Sequence, residues 1–175
     1  MARTTFLVHA RRLHYSIRHQ IENFDGRTDP EWRNVERPIF EHYACGMYLI
    51  NCLAYLAGKY GEHCWNSPSP SHADFDTFLA SLRSNLQTDF ASAKVSKSSM
   101  IALQEIRNAL THNASDLSDN RNPNALSLVV AADLDGVVLN GSVLRLTSND
   151  IVDFMKTVRL SYIALSMYYG DEVSS

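Results

Sequence analysis

The stretch from Pro38 to Gly58 constrains the fold more than any other part of this chain, because it is apolar on every side. Its apolar residues recur at helical spacings and predict an α-helix that begins near Pro38 and ends at Gly58 or Gly61. One face carries Ile39, Tyr43, Met47, Ile50 and Ala54, and the other carries Phe40, Ala44, Tyr48 and Cys52. Such a helix is typical of the middle of a bundle. Its most apolar part, from Tyr43 to Gly58, is shorter than the ~20 residues that a membrane span needs and contains Asn51, so we expect no membrane segment.

Helical periodicity also extends over most of the chain on either side of this stretch. The other predicted helices are a first one ending near Gly26, a third one after Ser71-x-x-Asp74, a fourth from about Lys97 to His112, and a fifth starting near Ser148. The buried face of the third comprises Phe75, Phe78, Leu79, Leu82 and Leu86. Five helices of this kind predict a mainly α protein whose helices pack as an antiparallel bundle.

The pattern changes between the fourth and fifth predicted helices. The polar stretch from Asp116 to Asn124 predicts a mobile loop directly after the fourth helix. The two segments that favour strands are Leu126 to Val130 and Val137 to Leu146, with Asp135-Gly136 or Asn140-Gly141 as hairpin turns. We therefore expect a small β-hairpin insertion before the last helix.

Composition indicates one domain inside the cell. The chain has 175 residues, of which 45 % are hydrophobic, and we expect a single domain over residues 1–175. Three cysteines do not form a disulfide framework and fit a reducing cytoplasm, and no secretory signal opens the chain. The net charge of −3 means that any contact with nucleic acid depends on a local basic patch.

Arg107-Asn108-Ala109-Leu110-Thr111-His112, at the end of the fourth predicted helix, is the stretch whose residues indicate chemistry rather than packing. An arginine supplies a permanently charged fork that fits a phosphate, and a histidine donates or accepts a proton near neutral pH. Together these two groups suffice for cleavage of a phosphodiester without a metal. Asn108 is four residues before His112, so its amide is in position to orient the ring or touch the phosphate.

The helix period separates the two charged groups of this motif. At about 100° per residue, Arg107 and His112 point about 140° apart on a straight helix. Either the helix ends at His112, with Asn113 as its cap, or a two-fold dimer brings two copies of the motif to one cleft. Glu105 lies near the same stripe, where it either holds a protonated His112 or is a solvated acid.

The pattern Arg-Asn-x-x-x-His near the end of a helix, in a mainly helical chain of this size, resembles the HEPN family (higher eukaryotes and prokaryotes nucleotide-binding). The resemblance covers the six-residue motif and the overall architecture. It implies a metal-independent endoribonuclease that needs no cofactor, dimerises through the motif region and acts in a defence or toxin–antitoxin system. An antitoxin or inhibitor protein is then a further partner.

A mechanism follows for these residues. The RNA 2′-OH attacks the adjacent phosphorus, and His112 acts as general acid or base. Arg107 stabilises the charge that grows on the phosphoryl oxygens, and Asn108 positions the phosphate or the ring. Two other interpretations stay open. Arg107 and His112 also favour a helix C-terminus through its dipole, and a non-catalytic module that binds RNA, a nucleotide or a protein would carry the same residues.

The first predicted helix carries the most basic surface of the chain. Arg11, His14, Tyr15 and Arg18 lie opposite its apolar stripe, and no acid precedes Glu22. Basic side chains contact phosphates and a tyrosine stacks on bases, so we predict that this face binds RNA. A solvated helix face has the same composition.

We expect no metal site in this chain. His42, Cys45 and Cys52 fall on the second predicted helix, and His63 and Cys64 follow it. One helix supplies two metal ligands easily and four rarely, so buried cysteines in an apolar helix are the better interpretation.

Overall fold

The computed structural model describes residues 11–20, 23, 29–60, 74–146 and 151–169. Residues 11–20 are helical and form α1, while the predicted helix end near Gly26 lies outside the described residues. The further elements are a π-helical turn at Trp32–Glu36, α2 (Arg37–Tyr60), α3 (Phe75–Ser81), α4 (Ser84–Ser92), α5 (Lys97–His112), α6 (Ala125–Ala132), β1 (Val137–Asn140), β2 (Val143–Leu146) and α7 (Ile151–Tyr168). The mainly helical class with a small hairpin before the last helix is confirmed. Six helices in the described ranges have both ends defined, so the predicted number of about five is too low.

Helix α2 is buried on one side only. It packs against α7, α5 and β2, and Cys45, Tyr48 and Leu49 are fully buried there. Tyr43 and Met47, on the other side, are 67 % and 54 % exposed. The expectation of a helix buried all round is therefore wrong for this side, because none of the described elements covers it.

The third predicted helix is in fact two helices. Leu82 and Arg83 adopt extended backbone conformations with ψ of 165° and 148°, which ends α3 before α4 begins. The side-chain amide of Gln87 donates to the carbonyl oxygens of Ala80 and Leu82, at 2.7 Å each. These bonds satisfy carbonyl groups that a continuous helix would have paired, so the break carries little cost in unpaired backbone groups.

The predicted strand at Leu126 to Val130 is wrong, because this segment lies in helix α6. A short apolar run does not distinguish a strand from a buried helix, and the β-branched valines favoured the strand. Ala125 and Val129, four residues apart, are buried where α6 packs on α5, while Val130 is 59 % exposed. Asp133, with φ of 45°, ends the helix in the left-handed region.

The hairpin prediction for Val137 to Leu146 is confirmed. Strands β1 and β2 pair antiparallel, with Asn140 opposite Val143, so the turn consists of Gly141 and Ser142. It lies one residue beyond the predicted Asn140-Gly141 and not at Asp135-Gly136. Gly141 has a φ of +64°, which a residue without a Cβ adopts without strain. Leu144 and Leu146 are buried and attach the hairpin to the rest of the protein.

Candidate functional site at the end of helix α5

Helix α5 holds the motif on a frame with defined ends. Ser96 caps its start, since the Ser96 hydroxyl accepts from the Ser99 amide and the Ser99 hydroxyl accepts from the Ser96 amide. Ala102, Ile106 and Ala109 are fully buried on its inner face. The predicted bounds of Lys97 to His112 are confirmed, and the motif occupies the last two turns.

Arg107 and Asn108 are half-buried and bonded to each other. The Arg107 Nη1 atom donates to Asn108 Oδ1 at 3.0 Å. One guanidinium edge is thereby held by a neutral amide oxygen, which leaves the positive charge of Arg107 in place for an anion. Thr111 donates its hydroxyl to the Arg107 carbonyl at 2.8 Å and so adds a bond within the same turn.

His112 is exposed, and its ring has no hydrogen bond, ion pair or ring contact with the residues that the structure describes. The proposed bond from Asn108 to this ring is therefore absent, because Asn108 Oδ1 accepts from Arg107 instead. Among the described residues, no hydrogen bond joins the Arg107 guanidinium to the His112 ring. This agrees with the angle of about 140° that the helix period imposes on them.

Glu105 has neither of the two roles considered for it. Its side chain is 4 % exposed, so it is not a solvated acid, and it accepts amide bonds rather than holding His112. Asn120 Nδ2 donates to Oε2 at 2.9 Å, and Asn122 Nδ2 donates to Oε1 at 2.8 Å. A buried carboxylate needs such donors, because burial without them is costly. Glu105 thus anchors the loop after the motif.

The loop from Asp116 to Asn124 is consequently tied down at its centre, contrary to the expectation of a mobile loop. Asn120 is 7 % exposed and also donates to the Glu105 carbonyl at 2.9 Å. Its Oδ1 accepts from Asn113 Nδ2 at 2.6 Å, which joins the loop to the cap of α5. No local sequence pattern in the loop indicates this hydrogen-bond network, because the bonded residues are up to 17 positions apart.

The backbone directly after His112 is also fixed by the hairpin. Ala114 and Ser115 have φ of 48° and 71°, which is uncommon for residues other than glycine. The Ser115 amide donates back to the Ala109 carbonyl, and the Ser115 carbonyl accepts from the Leu144 amide at 2.8 Å. Two consecutive left-handed residues therefore turn the chain from the end of α5 onto β2.

His42 is a residue of this region that sequence reasoning missed. Its Nδ1 atom accepts from the Leu146 amide at 3.1 Å, so the neutral ring carries its proton on Nε2 and donates it to Ser115 Oγ at 3.0 Å. Burial, and then the positive charge of Arg145, lower the pKa of His42. His42 therefore joins α2, the turn after the motif and β2 as a neutral ring. Its partners lie 73 and 104 residues away, and no local pattern marks them.

The cysteines considered as metal ligands are buried core residues. Cys45 and Cys52 are free thiols, and burial raises the pKa of the Cys52 thiol to about 12. His42 is occupied by its two hydrogen bonds, and His63 and Cys64 lie outside the described residues. Within the described ranges, no group of three or more His, Cys, Asp or Glu side chains is arranged to hold a metal ion.

The basic face of α1 is only partly as predicted. Arg11, Tyr15 and Arg18 are exposed, and the Arg11 guanidinium lies 5.5 Å from the centre of the Tyr15 ring. The placement of His14 on this face is wrong, because its ring is 7 % exposed and lies edge-on to Tyr48 of the core. Burial, followed by the charges of Arg159 and Arg18, lowers the pKa of His14.

Arg159 of α7 extends this basic surface. Its charge lowers the pKa of both His14 and Tyr15, although for Tyr15 the hydrogen bond from Arg11 is the larger cause. Sequence reasoning did not include Arg159, because its distance from α1 along the chain conceals their proximity in the fold.

Comparison with protein-family models, curated proteins and solved structures finds no match to this chain. The resemblance to the HEPN family therefore depends on the motif and on the helical architecture. Separately, none of the described helices is long and apolar enough to cross a membrane.

Proposed function

We propose that the protein is a metal-independent endoribonuclease of HEPN type, with Arg107, Asn108 and His112 as its catalytic residues. The observation that carries this proposal is the arrangement at the end of α5. A half-buried arginine, held by its neighbouring amide, lies within two turns of an exposed histidine that is engaged by none of the described residues. These are the groups that transesterification of RNA requires: a fixed cation and an accessible proton carrier.

The chemistry proceeds by attack of the RNA 2′-OH on the adjacent phosphorus, with loss of the 5′-oxygen. The P–O2′ bond forms as the P–O5′ bond breaks, the 2′-OH loses a proton and the leaving 5′-oxygen gains one. His112 serves as the general base or general acid for these transfers, and Arg107 stabilises the charge on the phosphoryl oxygens. Asn108 keeps the guanidinium fixed by accepting its Nη1 bond, which refines the predicted role of positioning the phosphate or ring. The products carry 2′,3′-cyclic phosphate ends.

Substrate RNA also contacts the α1 face in this proposal. Arg11 and Arg18 bind phosphates, and the exposed Tyr15 ring stacks on a base. His14, which is buried, has no part in this contact. The acidic net charge of the chain makes such a local surface necessary.

The active form is a homodimer of a helical bundle acting in the cytoplasm. Because the helix period directs Arg107 and His112 about 140° apart, we infer that a second copy completes a cleft with both groups. The resemblance adds a defence or toxin–antitoxin setting, in which an antitoxin or inhibitor protein binds this cleft.

The alternative is a non-catalytic module that binds RNA, a nucleotide or a protein as a dimeric scaffold. It is favoured by one observation, namely that none of the described residues orients the His112 ring. General acid or base catalysis depends on geometry, and a ring without a partner among the described residues lacks that geometry until a substrate or a second copy is bound.

The deciding experiment compares cleavage of single-stranded RNA by the wild type, His112→Ala and Thr111→Ala, each in excess chelator. Thr111→Ala is the matched control, because its hydroxyl bonds only the Arg107 carbonyl of the same helix. We expect cyclic phosphate ends from the wild type, at least a ~10²-fold lower rate for His112→Ala, and a near-normal rate for Thr111→Ala.

Thermal unfolding of the same proteins separates catalysis from a capping role. As a helix cap alone, His112 contributes about 0.3–1 kcal/mol to stability and nothing to chemistry. Equal cleavage by the wild type and a folded His112→Ala protein would exclude the ribonuclease assignment and favour the binding module. Cleavage that disappears with chelator and returns with magnesium would exclude the metal-independent mechanism.

A further inference from the structure

Helix α2 presents a column of large apolar side chains to solvent. Val35, just before the helix, and Ile39, Tyr43 and Met47 within it are 53 %, 52 %, 67 % and 54 % exposed. They are spaced by four residues and therefore lie above one another along the helix surface. Scattered exposed apolar residues are ordinary, but a continuous row over three turns marks an interaction surface.

The column carries no charge over most of α2. Among the described side chains from residue 39 to residue 58, the exposed ones are Ile39, Tyr43, Met47, Asn51, Ala54 and Gly58. A nucleic acid or a strongly charged protein finds no electrostatic complement on such a surface. A second copy of the same surface meets it without like-charge repulsion.

The column also changes from large to small side chains along the helix. Its first half holds Ile39, Tyr43 and Met47, and its second half holds Asn51, Ala54 and Gly58. A Cβ placed on Gly58 would have no other atom within 4 Å, so this end is open for a neighbouring side chain. The two halves are thus complementary in shape to each other.

We propose that this column is the surface through which two copies of the chain pair, with their α2 helices antiparallel about a two-fold axis beside Met47. In that arrangement Met47 meets its own counterpart, Tyr43 lies opposite Asn51, and Ile39 lies opposite Ala54. A two-fold interface requires such self-complementarity, because each contact between two positions occurs twice. On either side of the Met47 pair, large side chains then pack against small ones.

This pairing has a consequence for the motif, and that consequence alone rests on the proposed function. Gly46 is buried against α5, where a Cβ would lie 3.3 Å from Leu110 Cδ1. At 100° per residue, Gly46 is roughly a quarter turn from the column, so α5 lies at the rim of the proposed interface. A two-fold axis that pairs α2 antiparallel keeps both copies of α5 on the same side of the dimer.

The last turn of α5 contacts α2 beside the proposed axis, since Leu110 lies against Gly46, the neighbour of Met47. His42 lies on α2 one turn before Gly46, between Ile39 and Tyr43. It forms a hydrogen bond with Ser115, three residues after the motif. The turn after His112 is therefore held to α2 at His42, five residues before Met47. Each copy then supplies its Arg107 and His112 to one shared face, as the composite site requires.

The test is the mass in solution, measured by light scattering at tens of micromolar for the wild type, Met47→Glu and Val130→Glu. Met47→Glu places two carboxylates face to face on the axis, and we expect dimerisation on the order of 100-fold weaker. Val130→Glu is the matched control, since Val130 is equally exposed but lies on α6. It should remain a dimer. A monomeric wild type, or a dimer that Met47→Glu leaves intact, would overturn the proposal.

A second measurement locates the axis. Met47→Cys should form a covalent dimer with a short bismaleimide, while the wild type with its own three cysteines and Val130→Cys should not. RNA cleavage by the same variants is read separately from mass. A monomeric Met47→Glu protein that still cleaves RNA would overturn the shared site, and the mass data would still support the surface. If even the dimeric wild type cleaves no RNA, the proposed function fails and the surface stands.

Discussion

Replacement of His42 by leucine is the perturbation that tests most directly how the end of α5 is held. His42 accepts from the Leu146 amide and donates to Ser115 Oγ, and leucine makes neither bond. His42→Asn is the matched variant, because its side-chain oxygen can take the place of Nδ1 and keep the bond to Leu146. The two substitutions therefore separate loss of one hydrogen bond from loss of both.

The expected magnitude follows from the groups left without partners. The Leu146 residue is fully buried, so an amide deprived of its acceptor there costs about 1–3 kcal/mol. Ser115 is half-buried, and its hydroxyl finds water at a smaller cost. We expect His42→Leu to lower the free energy of unfolding by about 2 kcal/mol near neutral pH, and His42→Asn by about half of that.

The loss should also depend on pH, with a definite sign. The pKa of His42 in the folded protein lies below its ordinary value of 6.5, because burial and then the Arg145 charge disfavour the protonated ring. Below pH 6.5 the unfolded chain takes up a proton that the folded chain does not. The stabilisation by His42 is therefore complete above that pH and decreases as the pH falls toward the folded pKa. The difference between the wild type and His42→Leu should shrink accordingly.

Urea unfolding at about pH 7.5 and about pH 5 measures this difference, and amide hydrogen exchange locates it. His14, whose pKa is also lowered, contributes to both proteins and cancels in the comparison. Exchange at Leu146 and Leu144 should accelerate in His42→Leu, while the amides of α4 stay protected. Unchanged exchange at Leu146, together with a stability loss that does not vary with pH, would refute the role assigned to His42.

Two further predictions concern the proposed RNA contact of α1 and the loop anchor. Changing both Arg11 and Arg18 to Glu should weaken RNA binding and reduce the salt dependence of the affinity, while the free energy of unfolding stays nearly unchanged. A salt titration of RNA binding measures this effect. An unaltered affinity would exclude the α1 face as the RNA-binding surface. Asn120→Ala should cost about 3 kcal/mol in urea unfolding and Asn122→Ala about 1, because Asn120 is buried and bonds both the Glu105 side chain and its carbonyl. Equal losses for the two variants would contradict the anchoring of the loop through Asn120.

Local pattern was sufficient for elements whose ends and periodicity are encoded within a few residues. Helix α5 begins after the Ser96 cap and ends before Asn113, and the β1–β2 turn begins at Gly141, within one residue of the predicted Asn140-Gly141 pair. Where competing local signals were balanced, sequence reasoning failed. The valines of α6 favour a strand, and the break at Leu82 contains neither glycine nor proline to mark it.

The site shows the same division between local and distant information. The positions of Arg107 and His112 on α5 follow from the helix period alone. The contacts that hold their surroundings do not, because Glu105 finds its donors 15 and 17 residues away and His42 finds Ser115 after 73. The burial of His14 was equally invisible, since it depends on Tyr48 of another helix.

Two hypotheses for His112, catalysis and stabilisation of the helix end, make different predictions, because the end of α5 is held by other residues while the His112 ring has no partner among the described ones. The end of α5 has its own supports, because the amides of Asn113 and Ser115 both donate to the Ala109 carbonyl and Asn113 bonds Asn120. A histidine that served only the helix dipole would add about 0.3–1 kcal/mol to an end already held in this way. The fold therefore gains little from His112, and its exposed ring is the part of the motif whose removal should change activity far more than stability.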